Sequence, residues 1–176
     1  EGMNFSIRKN TLQYDDVMNK QRELIYTQRN KVLDGEDLKE TVIKMIDETV
    51  DAYCSIFLND DSVHDNWDLK GLRDYFLGWI TTPEDLRFTP DELGNTSKQE
   101  VAQSLKDRAH EIYEAREAEF GHDMMREIER VMLLRCVDTN WMDHIDAMDQ
   151  LRQGIGLRAY GQHDPVVEYR NDSYDM

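Results

Sequence analysis

The sequence predicts an all-α protein in which a long helix packs with a helical hairpin and a small helical lobe lies between them in the chain. Apolar residues recur at helical spacing through both ends of the chain, and no stretch alternates as a strand would. Only three prolines and nine glycines interrupt the 176 residues. Charged residues make up 33% of the chain and hydrophobic residues 39%, a balance typical of long, solvated amphipathic helices.

The first predicted helix is long and uninterrupted. Residues 5–33 contain no proline or glycine. Their apolar side chains fall on one helical stripe that includes Tyr14, Met18, Ile25 and Val32. Gly35 follows, and glycine readily adopts the left-handed conformation that ends a helix. We therefore expect one long helix within residues 1–35.

The middle of the chain, residues 36–121, is predicted to form a separate lobe of short helices. An apolar series predicts a helix over 38–56, and the polar run at 59–62 ends it. A third helix is expected over about 69–80. Its buried side chains should be Leu72, Phe76 and Trp79.

Three capping patterns predict further helix starts inside this lobe. Thr82-Pro83 and Thr89-Pro90 each place a side-chain acceptor before a proline at the first helical position, where the missing N–H costs nothing. Ser97 and Glu100 form a capping box that opens a longer helix.

The last third, residues 122–176, is predicted to be a helical hairpin. An apolar stripe predicts a helix over about 123–154, packed beside the first helix with Trp141 as the packing anchor. Gly154 and Gly156 are expected to interrupt this helix.

A second, shorter helix completes the hairpin. Asp164 is placed to cap it and Pro165 to occupy its first position. The predicted tip, residues 151–163, carries Arg152 and Arg158 and no acidic residue. On an acidic chain this local reversal of charge favours a binding role for the tip.

Composition argues against several classes of function. The net charge of −16, from 21 basic and 37 acidic residues, argues against nucleic acid as a partner because an acidic surface repels phosphates. Cys54 and Cys136 lie far apart, so neither a zinc site nor a disulfide framework is predicted, and a reducing cytoplasm fits. No apolar run is long enough to span a bilayer.

Enzymatic motifs are scarce, and we predict no catalytic residue and no metal site. Neither a glycine-rich phosphate-binding loop nor a serine nucleophile elbow occurs. The alternative is a helical metal-dependent phosphohydrolase that uses His-Asp pairs as ligands. The candidate pairs are His64-Asp65, His122-Asp123 and His163-Asp164. Capping explains Asp123 and Asp164 without a metal, and His144 is interpreted as a core or interface histidine.

Motifs at both ends of the chain resemble the SecA family, the motors of bacterial protein secretion. Near the start they are NFSIRKN at 4–10, YDDVMNKQR at 14–22 and IYTQRN at 25–30. Near the end they are WMDHI at 141–145, MDQLRQGI at 148–155, LRAYGQ at 157–162 and DP at 164–165. The middle of the chain fits the family by position and helicity without a sharp motif.

The resemblance implies a domain organisation and a site. Residues 1–35 would be the long helix of the helical scaffold, 36–121 the helical wing, and 122–176 the returning scaffold segment with a two-helix finger. Tyr160 would stand at the finger tip, where the family's tyrosine enters the mouth of the SecYEG channel and contacts the translocating polypeptide. The neighbouring contact residues would be Leu157, Arg158, Ala159 and Gly161, and the scaffold-packing residues Tyr14, Ile25, Trp141 and Ile145.

The resemblance also implies what this chain does not do by itself. It should not hydrolyse ATP, because the family binds ATP and Mg²⁺ in nucleotide-binding domains outside this segment, and we expect the chain to be a piece of a longer protein. The implied partners are SecYEG, an unfolded preprotein and those nucleotide-binding domains. The implied location is the cytoplasm, peripheral at the inner face of the plasma membrane. Two departures are Ala159, where many relatives have glycine, and His163, where lysine is frequent.

Overall fold

The computed structural model describes residues 2–35, 38–59, 66–158 and 164–176. Within those ranges the regular elements are helices, which confirms the all-α prediction. In chain order they are α1 Gly2–Leu33, α2 Leu38–Phe57, α3 Leu69–Phe76, α4 Pro90–Gly94, α5 Lys98–Phe120, α6 His122–Arg158 and α7 Pro165–Tyr174.

The chain forms two compact units. The first contains Glu1–Glu36 and Arg130–Met176, and the second contains Asp37–Glu129. α5 ends at Phe120 and α6 begins at His122, and the second unit runs on to Glu129 within α6. Assignment of the two units to the family's scaffold and wing stays a prediction.

In the first unit, α1 packs with α7. Gly35 follows α1 with a φ of 76°, the left-handed conformation expected of a glycine after a helix end. The buried core draws on α1, α6 and α7, and its members are Val17, Met148, Ile155 and Tyr169. A long helix packed with a helical hairpin is therefore confirmed.

The end of α6 differs from the prediction. The helix continues through Gly154 and Gly156 to Arg158 instead of ending near 154. Ile155, between the two glycines, is fully buried, and burying such a side chain contributes roughly 1.5–3 kcal/mol. That gain offsets the cost of about 1 kcal/mol for each glycine inside a helix.

In the second unit, α2 packs against both α3 and α5. The fully buried side chains at its centre are Val50, Cys54, Leu58, Leu72 and Phe76. A Cβ atom on Gly71 would lie 2.7 Å from Cε1 of the Phe57 ring. The close approach of α3 to α2 therefore requires glycine at this position.

Of the three capped helix starts predicted inside residues 36–121, two are confirmed and one is wrong. Thr89 caps α4 and Ser97 caps α5, each through a complete capping box. Thr82 begins only a turn, in which its backbone N–H donates to Asp85 Oδ2 at 2.6 Å. Leu86 follows with a φ of 55°, and a left-handed residue cannot continue a right-handed helix.

The predicted burial of Trp79 is also wrong. α3 ends at Phe76, and Gly78 follows with a φ of 91°. The backbone N–H groups of Trp79 and Ile80 both donate to the Phe76 carbonyl, so the chain turns sharply here. The turn buries Ile80 and leaves Trp79 44% exposed.

Candidate functional site

Residues 151–156 of the predicted tip belong to α6 in the structure, so we restrict the tip to residues 157–163, at the end of α6 and before α7. Asp164 caps α7 by accepting a 3.0 Å hydrogen bond from the Val166 N–H, as the sequence predicts. Ala159, Tyr160 and Gly161 lie outside the described residues, as do the side chains of Leu157 and Arg158. The structure therefore describes the base that carries the tip and not the contact residues themselves.

We define the hairpin base as the region where α6 and α7 pack on α1, formed by Tyr14, Val17, Met148, Arg152, Ile155 and Tyr169. Met148, Ile155 and Tyr169 are each at most 2% exposed. Burial of three such side chains contributes several kcal/mol. The two helices that flank the tip are thus held against α1 close to where the tip begins.

Two tyrosines and an arginine form the polar edge of the hairpin base. The Tyr14 ring meets the Tyr169 ring edge to face, with centroids 4.8 Å apart at 88°. The Arg152 guanidinium lies 4.8 Å from the Tyr14 centroid, a cation–π distance. Arg152 Nη1 is also 3.9 Å from Asp15 Oδ1. Burial raises the pKa of both phenols, so the rings remain uncharged at neutral pH.

A groove of about 320 Å³ opens beside the hairpin base. Its charged lining consists of two aspartates and two arginines, Asp15, Asp149, Arg22 and Arg152, so the formal charges cancel. Among its described lining residues there is no cysteine, serine or histidine.

A chain of hydrogen bonds crosses all three helices of the first unit. His144 Nε2 on α6 donates to Gln21 Oε1 on α1 at 2.8 Å. Gln21 Nε2 donates to Ser173 Oγ on α7 at 3.0 Å, and the Ser173 hydroxyl donates to the Arg170 carbonyl at 2.7 Å. The interpretation of His144 as an interface histidine is therefore confirmed. Gln21 and Ser173 are 7% and 3% exposed.

The sequence predicts Trp141 as the packing anchor, and this is wrong. Met148 and Ile155 lie at the centre of the packing instead. Trp141 is half-buried and stacks on His144 with ring centroids 5.7 Å apart. Ser173, near the end of α7, already lies at the level of Gln21 and His144. Trp141 lies one turn before His144 on α6, outside the buried cluster of the first unit. The other predicted packing residues, Tyr14, Ile25 and Ile145, are half-buried in the first unit.

An ion pair between Arg29 and Asp138 connects α1 to α6. It lies farther from the tip than Trp141 does. Arg29 Nε donates to Asp138 Oδ1 at 2.9 Å, and Arg29 Nη2 donates to Asp138 Oδ2 at 3.4 Å. This two-point geometry orients the helices more strictly than a single contact would. The pair is exposed enough for solvent to weaken it.

The second unit contains a buried ionic cluster that the sequence analysis missed. Arg126 Nη2 lies 2.9 Å from a carboxylate oxygen of both Glu117 and Glu129, and it donates to Tyr113 Oη at 2.7 Å. Tyr113 Oη donates to Glu129, and burial raises the pKa of Tyr113. Lys39 Nζ is 3.1 Å from Glu117, and it lowers the pKa of that carboxyl.

The metal-site alternative finds no support in the part of the chain that the structure describes. His122 and Asp123 are exposed neighbours with a 3.2 Å contact between His122 Nδ1 and Asp123 Oδ1. In the described ranges no three His, Cys, Asp or Glu side chains converge to hold a metal ion. The pair His64-Asp65, and His163 of the third pair, lie outside those ranges.

Gln21 was missed in the sequence analysis, and a comparison with Gln13 shows which feature of the sequence could have identified it. Gln21 lies four residues after Val17, inside the apolar stripe of α1, whereas Gln13 lies off that stripe and is exposed. A polar residue within an apolar stripe needs a buried hydrogen-bond partner. That signal could have identified Gln21, although its partners on α6 and α7 lie too far away in sequence to name.

No helix among the described residues is long and apolar enough to cross a membrane.

Comparison with known proteins identifies the family. The chain matches the family model of the SecA Wing and Scaffold domain over residues 1–176. It is 48% identical over 176 residues to protein translocase subunit SecA of Acetivibrio thermocellus and 52% identical over 176 residues to that of Pelotomaculum thermopropionicum. These alignments cover 100% of this chain but 19% and 20% of the two relatives, so the chain spans about a fifth of their length. With the match running through both helical units, this chain belongs to the SecA Wing and Scaffold family.

Proposed function

We propose that this chain is the non-catalytic scaffold and wing segment of a protein translocase motor. In this role it couples the motion of ATPase domains to the movement of a secretory polypeptide through the SecYEG channel. The observation that carries the proposal is the family match over the whole chain, together with relatives that are named as protein translocase subunits.

The hairpin base supports a mechanical role. Helix α1 contacts the hairpin at Tyr14, at Gln21 and at Arg29, so a force applied along α1 reaches α6 at several levels. The apolar core resists separation of the helices, and the polar contacts resist sliding between them. A push on α1 would therefore move the hairpin as one body.

The tip would supply contact with the moving polypeptide. Tyr160 offers apolar ring area at a low entropy cost and a hydroxyl that can bond to any backbone group, which suits a partner of variable sequence. Leu157, Arg158, Ala159 and Gly161 would complete the contact surface. None of these groups needs to take part in a chemical step.

The remaining partners follow from the same proposal. ATP and Mg²⁺ would bind to nucleotide-binding domains outside this chain, and α1 would pack against those domains. The assembled motor would work in the cytoplasm, peripheral at the inner face of the plasma membrane, with SecYEG and an unfolded preprotein as partners. Residues 36–121 would be its helical wing.

A chimera tests the proposal. A full-length relative in which this chain replaces the matching segment should drive ATP-dependent transport of an unfolded preprotein into vesicles that contain SecYEG. The 176-residue chain alone, as a control, should transport nothing. A chimera that folds and hydrolyses ATP but never transports preprotein would contradict the proposal.

A further inference from the structure

The hydrogen-bond chain through Gln21 is unusual because it lies beside an apolar core. Val17, one turn before Gln21 on α1, and Met148, one turn after His144 on α6, both belong to the buried cluster of the first unit. Gln21 and Ser173 are themselves more than nine-tenths buried. Their polar atoms are satisfied by each other, by His144 and by the Arg170 carbonyl.

Apolar packing alone specifies helix register weakly. Aliphatic side chains such as Val17 and Met148 can repack after a shift of one helical turn, about 5.4 Å, with little loss of buried area. A buried amide cannot, because after such a shift its N–H and C=O groups would face apolar neighbours without partners. Single buried polar residues fix register in coiled coils for this reason.

We infer that Gln21, His144 and Ser173 are positioning residues that fix the register of the hairpin along α1. Gln21 is the central residue of the three, since its side-chain carbonyl accepts a hydrogen bond from α6 and its side-chain N–H donates one to α7. Both arms of the hairpin are thereby set against one residue of α1. Because α6 and α7 carry the tip, the register also sets how far the tip extends.

The functional part of this inference rests on the proposed function, and its structural part does not. The register is a property of the 176-residue chain and can be measured without a channel or a nucleotide. The consequence for transport requires the chimera described above. The two measurements therefore separate failure of this inference from failure of the proposed function.

Spin-label distances measure the register directly. One label is placed on the native Cys136, which is exposed on α6, and the other on Lys9→Cys, at an exposed position on α1. Cys54 is buried and stays unlabelled. The two helices run antiparallel, since Arg29 meets Asp138 while Tyr14 meets Arg152. A one-turn slip should change the distance by about 5 Å.

The decisive variant replaces Gln21 and both of its side-chain hydrogen-bond partners at once. Gln21→Leu combined with His144→Leu and Ser173→Ala leaves no unpaired polar group, so the melting temperature should stay within about 2 °C or rise. The distance distribution should nevertheless broaden or split by about 5 Å. The matched control is Gln13→Leu, at an exposed glutamine of the same helix, which should leave one unshifted peak.

A single, unshifted distance peak in the triple variant would overturn the inference, because apolar packing and the remaining contacts, such as Arg29 with Asp138, would then fix the register without Gln21. In the chimera, the triple variant should lower the amount of preprotein transported per ATP hydrolysed several-fold. Unchanged transport per ATP despite a broadened distance distribution would also overturn the positioning role. A chimera without transport before any substitution would count against the proposed function alone.

Discussion

Arg126 and Glu129, one turn apart on α6, form an ion pair in which the Glu129 side chain is 4% exposed and its Oε1 lies 2.9 Å from the Arg126 guanidinium. The same guanidinium nitrogen contacts Glu117 and Tyr113. Pairs at this spacing on a helix are usually solvated and contribute little. Here burial makes Glu129 dependent on its cation.

Loss of the Arg126 charge should destabilise the second unit strongly. Arg126→Met would leave the buried Glu129 carboxylate without a counter-charge, and breaking a buried pair in this way costs about 3–5 kcal/mol. Urea unfolding, followed by circular dichroism, measures the change. Arg116→Met is the matched control, because Arg116 pairs with Glu119 at the surface of the same unit. That change should cost less than about 1 kcal/mol, and similar losses for both variants would refute a special role for burial.

Glycine replacements should have opposite effects at two helical sites. Gly154 lies inside α6, and a Cβ atom there would meet nothing within 4 Å. Gly154→Ala should therefore stabilise the chain by about 0.5–1 kcal/mol. Gly71→Ala should destabilise it, because the new Cβ would lie 2.7 Å from Phe57 Cε1. Thermal unfolding of both variants checks the signs, and a lower melting temperature for Gly154→Ala would contradict the continuous helix.

The two cysteines should differ in reactivity. Cys136 is exposed, while Cys54 is buried and burial raises its pKa to about 11. A thiol reagent at pH 8 should modify Cys136 quickly and Cys54 only after denaturation. Rapid modification of both thiols in the folded chain would show that the second unit opens readily.

The raised pKa of Cys54 also predicts a pH dependence. Its thiol ionises more easily in the unfolded chain, near pH 8.5, than in the folded chain, near pH 11. The stability linked to the neutral thiol is therefore fully present below about pH 8.5 and is lost as pH rises toward 11. Comparison of the chain with Cys54→Ala isolates this effect from other titrating groups, and identical pH profiles would contradict it.

Most helix ends could be predicted from the sequence, because the capping side chain and the backbone group it bonds are close neighbours in the chain. The capping boxes at Thr89 and Ser97 and the cap at Asp164 depend on side chains within three residues of the atoms they bond. The same rules failed at Thr82, where the left-handed Leu86 ends the turn. They also failed at Gly154, where burial of Ile155 outweighs the helix-breaking tendency of glycine.

The candidate site was less predictable, because its contacts join distant parts of the chain. Gln21 meets His144 and Ser173 across more than 100 positions, and no spacing rule links them. Trp141 lies on the predicted apolar stripe but outside the buried cluster, because a helical stripe does not encode which of its positions a neighbouring helix covers. The resemblance to a family predicted the tip and the overall role, which stay predictions, whereas Gln21 and its two partners came from the structure.

The chain alone should bind no ATP, because the sequence contains no glycine-rich loop that could hold phosphates. Titration calorimetry with ATP and Mg²⁺ should show no saturable heat at micromolar concentrations. The chimera, which under the proposed function binds ATP through the rest of its relative, serves as the positive control. Saturable binding by the 176-residue chain would place a nucleotide site where none is expected.

Under the proposed function this chain acts through contact at its tip and not through chemistry, and Tyr160→Ala in the chimera tests this most directly. Preprotein transport into SecYEG vesicles and basal ATP hydrolysis are measured side by side, with Tyr160→Phe as the conservative control. We expect Tyr160→Ala to abolish most transport and to leave basal ATP hydrolysis nearly unchanged, while Tyr160→Phe keeps most of both. Equal transport by Tyr160→Ala and the unsubstituted chimera would contradict the proposed contact role of Tyr160.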